Sequence, residues 1–251
     1  MVITTAQRDI LARLRVDVAT GLSTSEASVR RRRGAATGDR HGGANVVRPP
    51  VDCPKWVCCL LPCIGRSPSM RQFRLVTPDD AEVLRDSTWV RYDHGSLVVG
   101  DVIRLVEGDV VPADCLVVGL GMDRIDASSV VDDDDDCEGG DSGEEEEDGG
   151  GGGADGEEIT VDARLVTGEI RPARVVRRRN GTVGSGATLY YGSRVLRGSC
   201  LAVVIATGRR VALSKLIGAG RWPPCADLSE EVREIARMES EGTGIALVPI
   251  S

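Results

Sequence analysis

Thr167, Gly168 and Glu169 end a β-type apolar run at residues 161–166, and Pro172 closes the segment shortly after. Thr and Val favour extended backbone, Gly allows a tight turn and Pro fixes the exit, so the sequence places Glu169 on a stiff, exposed loop tip. A carboxylate is the group that general acid–base chemistry uses on a bound water. A second set of reactive residues is Cys58, Cys59 and Cys63, interleaved with apolar residues across 56–64. Thiols in such a setting suit S-acylation, with Arg30, Arg31, Arg32 and Arg33 as the basic second signal; the alternative is a buried apolar hairpin covering one end of the domain. No metal site is expected. Cys53, Cys58, Cys59 and Cys63 lack the paired C-x-x-C spacing of structural zinc. The acidic run 132–136 lacks the alternating ligands and central Gly of a calcium loop.

The elements that must position these groups can be read along the chain. Residues 5–19 put Ile10, Leu11, Leu14 and Val18 on one helical stripe ending at Gly21. Ser23 and Glu26 then form a capping box opening a second helix that stops at Gly34. From Phe73 onward, runs at 82–85, 89–92, 101–105 and 115–118 read as short strands, with turns at 93–95, 106–109 and 180–181. Strands at this spacing predict a mainly β fold with flanking helices, a Greek-key or jelly-roll-like barrel. Between 119 and 158 the pattern dissolves into Asp, Glu and Gly, which predicts a disordered loop joining two strands. A last helix is expected over 228–238.

Composition narrows the classes. Only 3% of the 251 residues are aromatic, so the core must be Val, Leu, Ile and Ala. The net charge of -8 is uneven: residues 132–158 hold 15 carboxylates and no Lys or Arg, leaving the remainder basic by seven. No apolar run approaches the roughly 18 to 20 residues needed to cross a bilayer. The N-terminus lacks the pattern of a secretory signal, and the eight cysteines show no secreted-scaffold pairing, so a reducing, cytoplasmic setting is expected. Asp109, Asp114, Thr207 and Gly208 carry no accompanying nucleophile or base and are expected to be structural. His41 and His94 have no partner that sequence identifies.

Three motifs in series carry a family resemblance. They are residues 97–115 (LVVGDVIRLVEGDVVPADC), the Thr167-Gly168-Glu169 loop, and residues 186–198 (GATLYYGSRVLRG) followed by 202–208 (AVVIATG). Together they resemble the actuator domain of P-type ATPases, nearest to the proton-pump branch. Residues 21–30 (GLSTSEASVR) and 45–50 (NVVRPP) more loosely resemble the N-terminal region of cation pumps. The resemblance implies a distorted jelly roll, and a loop in which Glu169 positions the water that hydrolyses an aspartyl-phosphate, Thr167 and Gly168 shape the turn and Pro172 stiffens it. Ile170 stands where the family usually has Ser or Thr, and Arg164 where a small residue is usual. No Asp-Lys-Thr-Gly-Thr phosphorylation loop or nucleotide-binding domain is present, so the resemblance implies no ATPase activity by the chain alone.

The resulting organisation is a helical cap at 1–50, a Cys-rich apolar linker at 51–72, an actuator-like β domain at 73–220 with the acidic insertion at 119–158, and a tail at 221–251. The expected partner is a P-type ATPase phosphorylation domain in trans. No cofactor and no nucleic acid are expected. Three functional readings remain: a module acting through Glu169, a membrane-surface scaffold that keeps only the fold, and a fragment of a complete pump.

Overall fold

The computed structural model describes residues 5–36, 43–51, 67–121, 158–176 and 187–242. The acidic run, the turn at 180–181, His41 and the cysteines at 53, 58, 59 and 63 lie outside these residues. Its elements in chain order are α1 (Thr5–Leu14), α2 (Thr24–Ala36), α3 (Pro68–Val76), β1 (Asp80–Arg85), β2 (Thr88–Asp93), β3 (Val102–Leu105) and β4 (Asp114–Leu120), then β5 (Glu158–Asp162), α4 (Arg164–Thr167), β6 (Ala173–Val176), β7 (Thr188–Leu189), β8 (Arg194–Arg197), β9 (Cys200–Ala206), α5 (Ala212–Gly218) and α6 (Ser229–Gly242).

The strands form a six-stranded sheet, β2-β1-β3-β9-β4-β7, and a three-stranded sheet, β6-β5-β8. Every strand pairing is antiparallel. The mainly β expectation holds, but the barrel resolves into two sheets. β9 inserts between β3 and β4, the long-range return expected of a Greek key.

Alternation along the strands explains the layering. Ala81, Val83, Ile103, Leu105, Cys115 and Val117 join Ile159, Val161 and Val195 of the small sheet in one apolar cluster. On the opposite face Leu84, Val102, Leu116, Val118, Leu201, Val203 and Ile205 pack against Leu11 and Leu14 of α1. The large sheet is therefore covered on both sides, which is why all seven residues of β9 are buried. A bulge between Val117 and Gly119 shifts the register, and β4 continues to Leu120. The acidic insertion is thus narrower than sequence suggested, since 119–120 lie in β4 and Glu158 opens β5.

The helical cap forms with local differences. α1 ends at Leu14, earlier than its apolar stripe, because Arg15 turns with φ 51°. Ser23 Oγ accepts the Glu26 amide at 3.1 Å, half of the expected capping box. The Glu26 side chain pairs with Arg30 instead, at 3.0 Å, and Asp86 supplies a second cap by accepting the Thr24 amide at 3.0 Å. Arg30 also donates to the Val99 and Leu14 carbonyls at 2.9 and 2.8 Å, so it belongs to the packing rather than to a free basic cluster. Arg31, Arg32 and Arg33 stay exposed.

Other boundaries also move. α3 begins at Pro68, inside the stretch assigned to the linker, and holds Phe73 in a buried helical turn. Among the described residues no helix is long and apolar enough to cross a membrane. Two buried polar ties hold the frame. Arg85 makes a bidentate pair with Asp101 at 3.0 and 2.6 Å, and Asp101 also accepts the Val98 amide at 2.8 Å. Asn45 donates to the His94 and Pro112 carbonyls at 3.0 and 2.7 Å and accepts the Gly208 amide at 2.8 Å.

Candidate functional site

Residues 164–167 do not continue the extended run that β propensity suggests. After β5, the Asp162 carboxylate accepts the Arg164 amide at 2.9 Å, starting a turn of helix. That turn is α4. The Thr167 amide and hydroxyl both donate to the Ala163 carbonyl, at 2.8 and 3.1 Å. Gly168 ends it in the left-handed region with φ 79°, its amide donating to the Arg164 carbonyl at 2.9 Å. The Glu169 amide then donates to Thr167 Oγ1 at 3.2 Å. Thr167 and Gly168 thus shape the backbone from which Glu169 projects. Val166 is fully buried, which anchors the turn by roughly 1.5 to 3 kcal/mol of apolar transfer.

Glu169 is half-buried rather than exposed at a tip; the residues just after it, Ile170 (82%), Arg171 and Pro172, are exposed. The carboxylate borders an open groove of about 320 Å³ that also meets Thr167, Arg174, Tyr190, Ser229 and Arg233. Burial pushes the Tyr190 hydroxyl up to about 12, with Asp114 and Glu169 adding to the shift. The phenol therefore stays protonated at neutral pH and can donate a hydrogen bond. Arg233 pairs with Glu230, and Arg174 lies 3.6 Å from Glu158. Among the described residues, Glu169 has no such ion pair; it stands beside neutral hydroxyls and two arginines already paired.

Sequence reasoning missed what holds the turn from behind. The stretch 222–228, assigned to a tail, crosses the back of α4. Trp222 Nε1 donates to the Leu165 carbonyl at 2.7 Å, and the Leu228 amide donates to the Thr167 carbonyl at 2.7 Å. A methyl group built on Gly168 would lie 2.2 Å from the Ala226 oxygen. Trp222, Val232 and Phe73 share one apolar cluster with Val166, Leu213 and Leu216. The signals present in sequence were Trp222 before two prolines and the amphipathic spacing of α6, neither of which names α4 as the target.

Asp109 and Asp114 have the structural roles expected. Asp109 accepts the Val106 amide at 2.9 Å across its turn. Asp114 is buried and accepts the Tyr191 and Ala212 amides at 2.8 and 2.7 Å, joining β7 and α5 to β4. Burial pushes its carboxyl up to about 7 against the pull of those two amides. Gly208 donates to Asn45, and His94 Nδ1 lies 3.2 Å from the Asp79 carbonyl. The structure therefore brings Thr167, Gly168 and Glu169 together with a groove, while Cys58, Cys59 and Cys63 fall outside the described residues.

A solved zinc-transporting PIB-type ATPase in its E2.Pi state is similar over 68% of this chain, at 16% identity and a TM-score of 0.38. The match covers 21% of that protein, so this chain spans about a fifth of its length. A family model, the P-type ATPase actuator domain, matches residues 75–131 and 154–220. The match contains the two sheets and α4 and stops just before Trp222. Over those two matched stretches, this chain is similar to the actuator domain of the P-type ATPase family.

Proposed function

We propose that the chain works as a non-catalytic actuator module, presenting Glu169 to an aspartyl-phosphate held by a phosphorylation domain outside this sequence. The observation that carries the reading is the placement of Glu169. Its carboxylate borders an open groove on a backbone fixed by five hydrogen bonds around 163–169. A water oriented for attack on an acyl phosphate needs an acceptor held within hydrogen-bond reach, on a support that does not give way as the partner closes. The exposed Ile170 and Arg171 beside it supply an apolar and a cationic contact for an anionic partner surface. The motif wording favours a proton-pump type of partner. The first helix, α1, seated on the large sheet, supports the likeness to a cation-pump N-terminal region.

Acylation of Cys58, Cys59 and Cys63 in the cytoplasm would hold the module beside a membrane-embedded target. Uptake of a palmitate analogue, abolished when all three become Ser, tests that extension. The central experiment supplies a phosphorylated pump lacking its own loop Glu and follows the decay of its phosphoenzyme. Wild-type protein should accelerate decay, and Glu169→Gln should lose about 100- to 10,000-fold of that acceleration, the usual worth of a positioned acid–base group. Equal decay with both proteins, across several pumps, would move the function to a scaffold that retains the fold without the chemistry.

A further inference from the structure

We propose that Trp222 and the main chain at Leu228 are positioning residues for Glu169, so that docking of the C-terminal segment sets where the carboxylate sits. The inference rests on the reading of Glu169 above, but its geometry stands independently. α4 is four residues long and cannot hold its own shape, because so short a helix satisfies few of its own backbone groups. Two of its carbonyls, those of Leu165 and Thr167, are instead taken by donors from outside the β domain. Both donors lie beyond residue 220, and between them the Ala226 carbonyl sits against Gly168 closely enough to exclude any side chain there.

The segment is held at both ends. Trp222 is 5% exposed and meets Phe73 of α3 edge-on, with ring centroids 6.1 Å apart. Beyond Leu228, α6 buries Val232 and sets Glu239 against Arg210 and Lys215, at 2.7 and 2.5 Å. Arg221 and Glu231 close a further pair alongside. Displacing α6 would therefore pull at Leu228, and through it at the carbonyl one residue before Gly168. The indole ties the same turn to α3. Glu169 is the second residue after Thr167, so a small rotation of α4 carries its carboxylate across the groove.

The test is amide hydrogen exchange on the full chain, read alongside the phosphoenzyme assay. Trp222→Phe keeps an aromatic ring but removes the donor to Leu165. Leu228→Pro removes the amide donor to Thr167 one residue ahead of α6, where that amide takes no part in the helix's own hydrogen bonds. Each variant should speed exchange at Val166, Thr167, Gly168 and Glu169 by about five- to tenfold, the loss of one ordinary hydrogen bond. Amides of β3 and β9 should keep their wild-type protection. Acceleration of phosphoenzyme decay should fall while binding to the pump persists. Unchanged exchange at 166–169 in both variants would overturn the proposal. So would an equal rise across β3 and β9, which would make Trp222 ordinary core. If wild-type protein gives no acceleration at all, the role of Glu169 fails, and the exchange pattern still decides whether the segment holds the turn.

Discussion

Replacing Gly168 by alanine makes two demands on the structure, and a second glycine separates them. Gly168 has φ 79°, a conformation that costs a residue with a Cβ about 1 kcal/mol. Gly220 has φ 67° and open space around its Cα, so Gly220→Ala bears that cost alone. At Gly168 the new methyl would also lie 2.2 Å from the Ala226 oxygen, 3.0 Å from its carbon and 3.1 Å from the Pro224 side chain. The obstacle is backbone, so the segment must lift away. Overpacking of this kind adds about 1 to 3 kcal/mol, and the Leu228–Thr167 hydrogen bond lost on lifting adds about 1. The expected totals are about 1 kcal/mol for Gly220→Ala and about 3 to 5 for Gly168→Ala. For a chain of this size each kcal/mol moves the melting temperature by about 2 to 4 °C. Thermal unfolding should therefore show a drop of roughly 2 to 4 °C for the first variant and about 6 to 20 °C for the second. Urea midpoints at 25 °C should keep the same order. Equal melting temperatures for the two variants would show that the 222–228 segment does not seat against the turn.

Two further predictions concern carboxylates that hold the helices near this turn. Asp114 has a folded-state pKa raised to about 7, above its ordinary 3.8, so its contribution to stability is fully present below about pH 4 and declines as pH rises to 7. Asp114→Asn, which does not titrate, should destabilise most at pH 5 and progressively less by pH 7.5, followed by urea unfolding across that range; a constant difference would refute the shift. Glu239 behaves oppositely. Burial alone would raise its pKa, but hydrogen bonds from Lys215 and Arg210 hold it below its ordinary 4.5, so its contribution is present above that value and is lost as pH falls through the folded pKa. Glu239→Gln should cost about 1 kcal/mol at pH 7, less in high salt, and nothing once both forms are neutral in acid. A deficit that persists unchanged into acid would mean that the side chain acts by shape.

How much of this was legible in the sequence depends on whether a residue's fate is decided locally. Short β-type runs bounded by turn signals made β1, β2, β3 and β4 readable, because both signals are local. Gly119 and Leu120 were misread as part of the acidic tract, since the bulge that carries β4 past Gly119 is a property of pairing with β9. The Thr-Gly-Glu turn divides along the same line. Its residue types announced a carboxylate beside a glycine in a special conformation, and φ 79° at Gly168 agrees. The chain leaves the extended run after Asp162 because the Asp162 side chain captures the Arg164 amide and Val166 turns inward, so capping and burial outweigh the β preference of Val and Thr. Asn45, tied to Gly208 across 163 residues, and Trp222, tied to Leu165 across 57, leave no local trace at all. The type of the candidate group is therefore written in three consecutive residues, while its placement is written in residues 222–228. A change that leaves the Thr-Gly-Glu motif intact can remove the geometry that gives the motif its use.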